Sequence, residues 1–340
     1  MNSIQTGPLC IGTFIGTSGS RWGLDPLHLQ TLENAFNLNN VNQLANFSAI
    51  YVFGRNPRGR FSDGKLEPDF LASILRIKEN VPPFLHPNLS DEEIVTGVSF
   101  ASAGSGYDEL TTSLTGSIPM SKQLELFQSY QERLKKIVGG EGALSIVADA
   151  LVIISTGTND FVLNFYDIQI RHFQMSIYSY QDLLIMKLQN FVMELFGLRC
   201  RKMAISGVPS IGCLPIQLTA KSPLLRRCIH EENLDAQSFN RKLRKLLQTL
   251  QEMLPSCTLL HSDVFTPLMD MIKNPEVYGF VETRRGCCGS GVVEVGPLCS
   301  KHTAVCTDPS RHIFFDIIHP CEATYKYITD ALVKELLLKF

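Results

Sequence analysis

The segment "FFDIIHP", residues 314–320, sets a carboxylate and an imidazole three positions apart. A histidine acting as general base needs a partner that fixes its tautomer and stabilises the imidazolium, and an acid in the same loop can do both. The spacing lets Asp316 and His319 face one side of a turn, and Pro320 favours a loop that opens into a helix. A plain surface Asp–His pair would have the same spacing. "GTND", 157–160, offers a second group: Gly157 permits a tight turn and Asn159 carries an amide that could donate to a developing oxyanion. Asn and Asp also favour ordinary turns. "GVSFASAGSGYD", 97–108, is a loop of small residues suited to presenting backbone N–H groups, Gly104 foremost. It lacks the GxGxxG spacing of a nucleotide loop, and alone it reads equally well as a turn. These groups call for a nucleophile, and no serine announces itself.

The residues that could do chemistry must be held by something. "DALVIIST" (149–156), "RKMAISGVP" (201–209) and "CTLLHSDVF" (257–265) are short apolar runs that end in loop residues, the pattern of buried strands. Between them run stretches of helical period. "SKQLELFQSYQERLKKIVGG" places Leu124, Phe127, Leu134 and Ile137 on one side, with Ser121 as N-cap and Gly139 as stop. "FNRKLRKLLQTLQEML" does the same with Phe239, Leu243, Leu246, Leu250 and Met253, and "EATYKYITDALVKELLLKF" closes the chain with Ile328, Leu332 and Leu336 inward. Strands alternating with helices predict an α/β fold whose parallel sheet is covered on both faces. In such sheets ligands bind beyond the carboxyl ends of the strands, where Asn159 falls.

The 31 basic and 33 acidic residues nearly cancel and neither sign forms a block, so no nucleic-acid or anionic-membrane partner is expected. No apolar run approaches the roughly 20 residues of a membrane span. A small neutral substrate and a monomer follow as expectations. Six of the ten cysteines fall between Cys257 and Cys321, which favours disulfides and an oxidising compartment. Cys287, Cys288, Cys299 and Cys306 with His302 invite a zinc reading, but no CxxC pair is present and adjacent cysteines suit a tetrahedral site poorly, so no metal is expected. Two glycosylation sequons, at Asn46 and Asn88, agree with secretion, whereas the first residues lack the basic start and apolar stretch of a signal peptide. His86, His172 and His261 have no partner visible in the sequence.

The order "SFASAGSGYD", "ISTGTND", "GVPSIGCLP", "CCGSG", "FFDIIHP" resembles the plant-type GDSL esterase/lipases of the SGNH hydrolase superfamily, from about Gly59 to the C-terminus. The resemblance implies a flavodoxin-like three-layer α/β/α sandwich over 59–340, preceded by a divergent segment, 1–58. It also implies secretion, no cofactor, and hydrolysis of small-molecule or lipid carboxylic esters. Position by position, Asp316 and His319 match the acid and base of a triad, and Gly104 and Asn159 match the two oxyanion donors.

The Gly-Asp-Ser-Leu block that should open the domain is not there. "TFIGTSGS" is its one partial echo, with Ser18 at the serine position and Thr17 in place of the acid. "RWGLDPLHLQ" and "SAIYVFGRNPRGR" likewise stand where the family's next patterns belong. Three readings follow: Ser18 is the nucleophile; the chain lacks its true first exon; or it is an inactive member that binds esters or glycans. Transfer of the acyl group to an alcohol would use the same acyl-enzyme as hydrolysis. If "LCIGTFI", 9–15, serves as the first strand, a central one, the fold survives in each case.

Overall fold

The computed structural model describes residues 11–15, 60–300 and 302–339. Ser18 and Asn46 lie outside these residues.

Strand β1 (Ile11–Ile15) lies within the segment expected to supply a first strand. The chain resumes through helices α1 (Glu67–Ile74), α2 (Asp91–Val95), α3 (Glu109–Thr115) and α4 (Met120–Asp149) before β2 (Leu151–Ser155). A π-helical segment, Asp160–Asp167, leads to α5 (Ile170–Gln174), α6 (Ile177–Gly197) and β3 (Lys202–Ser206). Then come α7 (Pro215–Lys221), α8 (His230–Met253), β4 (Thr258–Ser262), α9 (Phe265–Lys273) and α10 (Pro275–Tyr278). The short strands β5 (Glu282–Gly286) and β6 (His312–Phe314) precede the last helix, α11 (Glu322–Lys339).

β1 to β4 form one parallel sheet in chain order, and β5 pairs with β6 in a second, two-stranded one. Alternation along β2 separates the two faces. Val152 and Ile154 join Met203 and Ile205 against α4, α6 and α8, while Leu151 and Ile153 join Ala204 and Leu260 against Leu71 of α1 and Leu332 of α11. Helices on both faces of a parallel sheet make the three-layer α/β/α sandwich that the sequence predicts. Among the described strands β1 is an outer one, paired with β2 through Ile11↔Leu151 to Ile15↔Ser155, so the inner places belong to β2 and β3.

Phe239, Leu243, Leu246 and Leu250 are buried on α8 as their helical spacing requires, but Met253 is 56% exposed. The helix ends there, and Leu254 turns inward in its place. Helix α4 begins two residues earlier than a Ser121 cap would place it, behind Pro119, whose carbonyl accepts from Gln123 N–H at 3.0 Å. Gly139 does stop the first helical run: its φ of 78° lies in the left-handed region, and a second run continues to Asp149.

Ile153 sits at 0% exposure between the sheet and α11. Ile153→Ala should therefore lower the unfolding free energy by about 2–5 kcal/mol, read from the shift in urea midpoint.

Candidate functional site

β2 delivers its last residue, Ser155, to a turn in which Gly157 adopts φ 111°. A side chain there would press on Val208 and the ring of Tyr107, so glycine both permits the turn and lets three segments meet. Asn159 follows, fully buried, and its Nδ2 donates to the carbonyl of Ser105 at 2.7 Å. An amide nitrogen carries two hydrogens, so one remains after Ser105 has taken the other. Gly104, next in the glycine-rich loop, has φ 89°, and its carbonyl accepts from Thr115 Oγ1 at 2.9 Å. The structure thus brings Asn159 and the Gly104 loop into contact.

That loop is held from beneath by Asp160. Its carboxylate accepts from Tyr107 N–H at 2.8 Å, from Asp108 N–H at 3.1 Å and from Thr111 Oγ1 at 2.6 Å. A Cβ on Gly106 would lie 2.3 Å from Asp160 Oδ1, so the glycine is what allows the carboxylate under the loop. Burial outweighs the three donors and pushes the Asp160 carboxyl up to about 7. Burial acts the same way on Asp108, but there Arg171, bonded to both of its oxygens at 2.6 and 3.1 Å, prevails and holds the carboxyl below its usual range. Asn164 links the two clusters, donating to Asp108 and Thr111.

Asp316 and His319 form the second pair. His319 Nδ1 lies 2.6 Å from Asp316 Oδ2, and both side chains are buried. Asp316 Oδ1 accepts from the backbone N–H groups of Ile318 and His319 at 2.8 and 2.7 Å. A carboxylate accepting in this way takes a proton from Nδ1, and in the neutral ring Nε2 is then the acceptor. Nε2 is buried and has no hydrogen-bond partner among the described residues. The ring of Phe61 packs 4.8 Å from the imidazole.

The loop is braced on three sides. Cys287 and Cys288 donate their N–H groups to the carbonyls of Phe314 and Phe315, and disulfides join Cys287 to Cys306 and Cys288 to Cys299. Those four cysteines are thus the expected disulfides, and Cys213–Cys228 is a third. Gly286 backs directly onto Asp316, where a Cβ would lie 2.7 Å from its carbonyl carbon. On a second side Ser62 donates to the Pro320 carbonyl and Asp63 accepts from Glu322 N–H. On the third, Ile216 N–H donates to the Ile317 carbonyl, tying the loop to the segment that leaves β3.

Sequence reasoning missed Asp160, Arg171 and Gly286, whose roles depend on partners far along the chain. Among the histidines without a visible partner, His261 sits on β4, where burial pulls its pKa down to about 4 and keeps the ring neutral. His86 accepts from Asn88 N–H in an exposed turn.

Comparison with known proteins places the chain in a family. The GDSL-like lipase/acylhydrolase model matches residues 34–332, a span that begins upstream of Gly59. The chain belongs to that family. Among its relatives in Arabidopsis thaliana, GDSL esterase/lipase At2g30220 is 50% identical over 289 residues, 84% of this chain and 81% of that protein. GDSL esterase/lipase At2g24560 is 46% identical over 319 residues, 93% of this chain and 86% of that protein. GDSL esterase/lipase At1g06990 is 47% identical over 285 residues, 83% and 79% respectively. No helix of the described residues is long and apolar enough to cross a membrane.

Because its folded pKa exceeds that of an unfolded aspartate, Asp160 takes up a proton on folding, and its contribution to stability falls as the pH rises from about 4 to about 7. Asp160→Asn should flatten that part of the pH dependence. It should also lower stability throughout, because the new amide nitrogen faces one of the two N–H groups, that of Tyr107 or that of Asp108, with a donor where a carboxylate oxygen accepted. Urea midpoints at about pH 4.5 and about pH 7.5 measure both effects.

Proposed function

We propose that this chain is a serine hydrolase of carboxylic esters in which Ser18 is the nucleophile, His319 the general base, Asp316 its orienting acid, and Gly104 N–H with Asn159 Nδ2 the oxyanion donors. The observation that carries this reading is the buried Asp316–His319 pair, whose proton is fixed on Nδ1 while Nε2 has no partner among the described residues. Position along the chain supports Ser18. β1 ends at Ile15 in register with Ser155 of β2, and Ser18 follows that end by three residues as Asn159 follows Ser155 by four. In a parallel sheet the residues just past the carboxyl ends share one crevice.

The chemistry follows from these roles. His319 Nε2 takes the Ser18 Oγ proton as Oγ bonds to the ester carbonyl carbon, and the carbonyl oxygen becomes an oxyanion held by Gly104 and Asn159. Collapse breaks the bond to the alkoxy oxygen, which leaves as the alcohol with the proton from Nε2. Water then repeats the sequence against the acyl-enzyme, releasing the acid and restoring Ser18. The substrate is a small-molecule or lipid ester, as the names of the relatives suggest.

Three disulfides among the described residues and an exposed Asn88, in a sequon whose Ser90 caps α2, support a secreted glycoprotein.

The test is turnover of p-nitrophenyl butyrate. His319→Ala should reduce kcat by about 10⁴-fold or more, and Asn159→Ala by about 10²–10³-fold. Equal rates in wild type and His319→Ala would sink the assignment.

A further inference from the structure

The loop between α7 and α8, residues 222–229, is tied down at its base by the Cys213–Cys228 disulfide. Arg226 pins it from within. Its buried guanidinium donates to the carbonyls of Pro215 at 3.2 Å and Arg284 at 2.8 Å and to Thr219 Oγ1 at 3.1 Å, while its own N–H donates to the Ser222 carbonyl at 2.7 Å. A loop held this way cannot readily fold its tip back onto the protein, yet the tip is two leucines: Leu224 is 94% exposed and Leu225 61%. Thr219 Oγ1 also donates to the Val292 carbonyl, at 2.8 Å, and the next residue there, Val293, is exposed as well. Adjacent large apolar side chains held in water on a rigid support mark a contact surface.

The charge around this tip is positive. Arg284 Nη1 reaches the Leu225 carbonyl at 3.4 Å, and the side chains of Arg227, Arg284 and Arg285 are exposed. Segments 222–228 and 281–294 carry four arginines against two glutamates, and both carboxylates are taken up by backbone donors. Glu282 accepts from Arg284 N–H at 2.8 Å and Glu294 from Ser290 N–H at 2.9 Å. No block of one sign shows in the sequence because Arg226 and Arg284 are 58 positions apart, and only the fold joins the two pairs. A protein partner would have to offer a groove matched to this projecting tip; a bilayer yields to one, and anionic headgroups supply the counter-charge.

We propose that the 222–228 loop docks this protein on an anionic lipid surface, with Leu224 and Leu225 entering the acyl boundary and Arg227, Arg284 and Arg285 meeting lipid phosphates. The same segments touch the Asp316–His319 loop: Ile317 N–H donates to the Glu294 carbonyl at 3.2 Å, and Gly286 backs onto Asp316. Docking therefore brings that loop near the lipid, although the binding itself needs no turnover.

Cosedimentation of the purified full chain with vesicles tests this, using phosphatidylcholine alone and phosphatidylcholine containing about one part in three of phosphatidylglycerol. Binding to the anionic vesicles should be at least about tenfold tighter than to the neutral ones and should weaken as salt is raised. Leu224→Ser with Leu225→Ser should weaken it by about tenfold or more, and so should Arg284→Gln with Arg285→Gln. The leucine pair is exposed, so its replacement leaves the fold intact and turnover of a soluble ester unchanged. His319→Ala should bind vesicles as wild type does, which separates failure of docking from failure of catalysis. Absence of binding to anionic vesicles, equal binding to both kinds, or undiminished binding by the leucine variant would each overturn the proposal. A dimer that the leucine variant abolishes, with no vesicle binding, would assign the tip to a second copy of the chain and overturn it too.

Discussion

The hydrogen bond between Asp316 and His319 is the constraint around which the C-terminal third of the molecule is organised. A carboxylate and an imidazole taken out of water need their remaining valences met, and a 2.6 Å contact between them is kept only if the backbone of one short loop cannot relax. The two N–H groups that close on Asp316 Oδ1 make the loop its own clamp. The disulfide-tied cysteines, the glycine at 286 that admits the Asp316 backbone, and the Ser62–Asp63 contacts to Pro320 and Glu322 then fix the loop from outside. The Gly/Cys cluster is thus a brace for the Asp316–His319 pair.

The side proposed to hold the oxyanion uses the same device with a different carboxylate. Asp160 holds up the glycine-rich loop through two backbone N–H groups and a threonine hydroxyl, and Asp108 with Arg171 locks that loop to α5. Asn159 and Asp160 are neighbours in sequence yet divide the labour: the amide bonds the Ser105 carbonyl and keeps one hydrogen to spare, and the carboxylate supports the glycine-rich loop. A site that binds developing charge must be rigid before the charge appears, and buried, fully committed carboxylates supply that rigidity.

Much of this was legible in the sequence. The three runs ending in Gly or in loop residues became β2, β3 and β4 because short β-branched stretches between amphipathic helices have few other places to go, and "LCIGTFI" contains β1 for the same reason. Asp316 could be paired with His319 because the two are local, whereas Asn159 and the Gly104 loop each read as a turn and were paired only by the family resemblance. The support of that loop was not legible, since Asp160 reaches residues 52 and 53 positions away and nothing in a linear pattern records such contacts. Cysteine pairing was equally hidden: composition announced disulfides, but only the fold brings Cys287 to Cys306 and Cys288 to Cys299. Met253 was misread because periodicity does not say where a helix unwinds.

In the proposed mechanism the Asp316–His319 pair acts on Ser18, three positions past the end of β1 in sequence, although the usual acid before that serine is replaced by Thr17. Fluorophosphonate labelling of the purified protein, followed by peptide mass spectrometry, tests it most directly, because the reagent marks a serine only where a working base activates it. Label should fall on the peptide containing Ser18 and be lost in His319→Ala. Label on any other serine, or none on a folded and active protein, would contradict it.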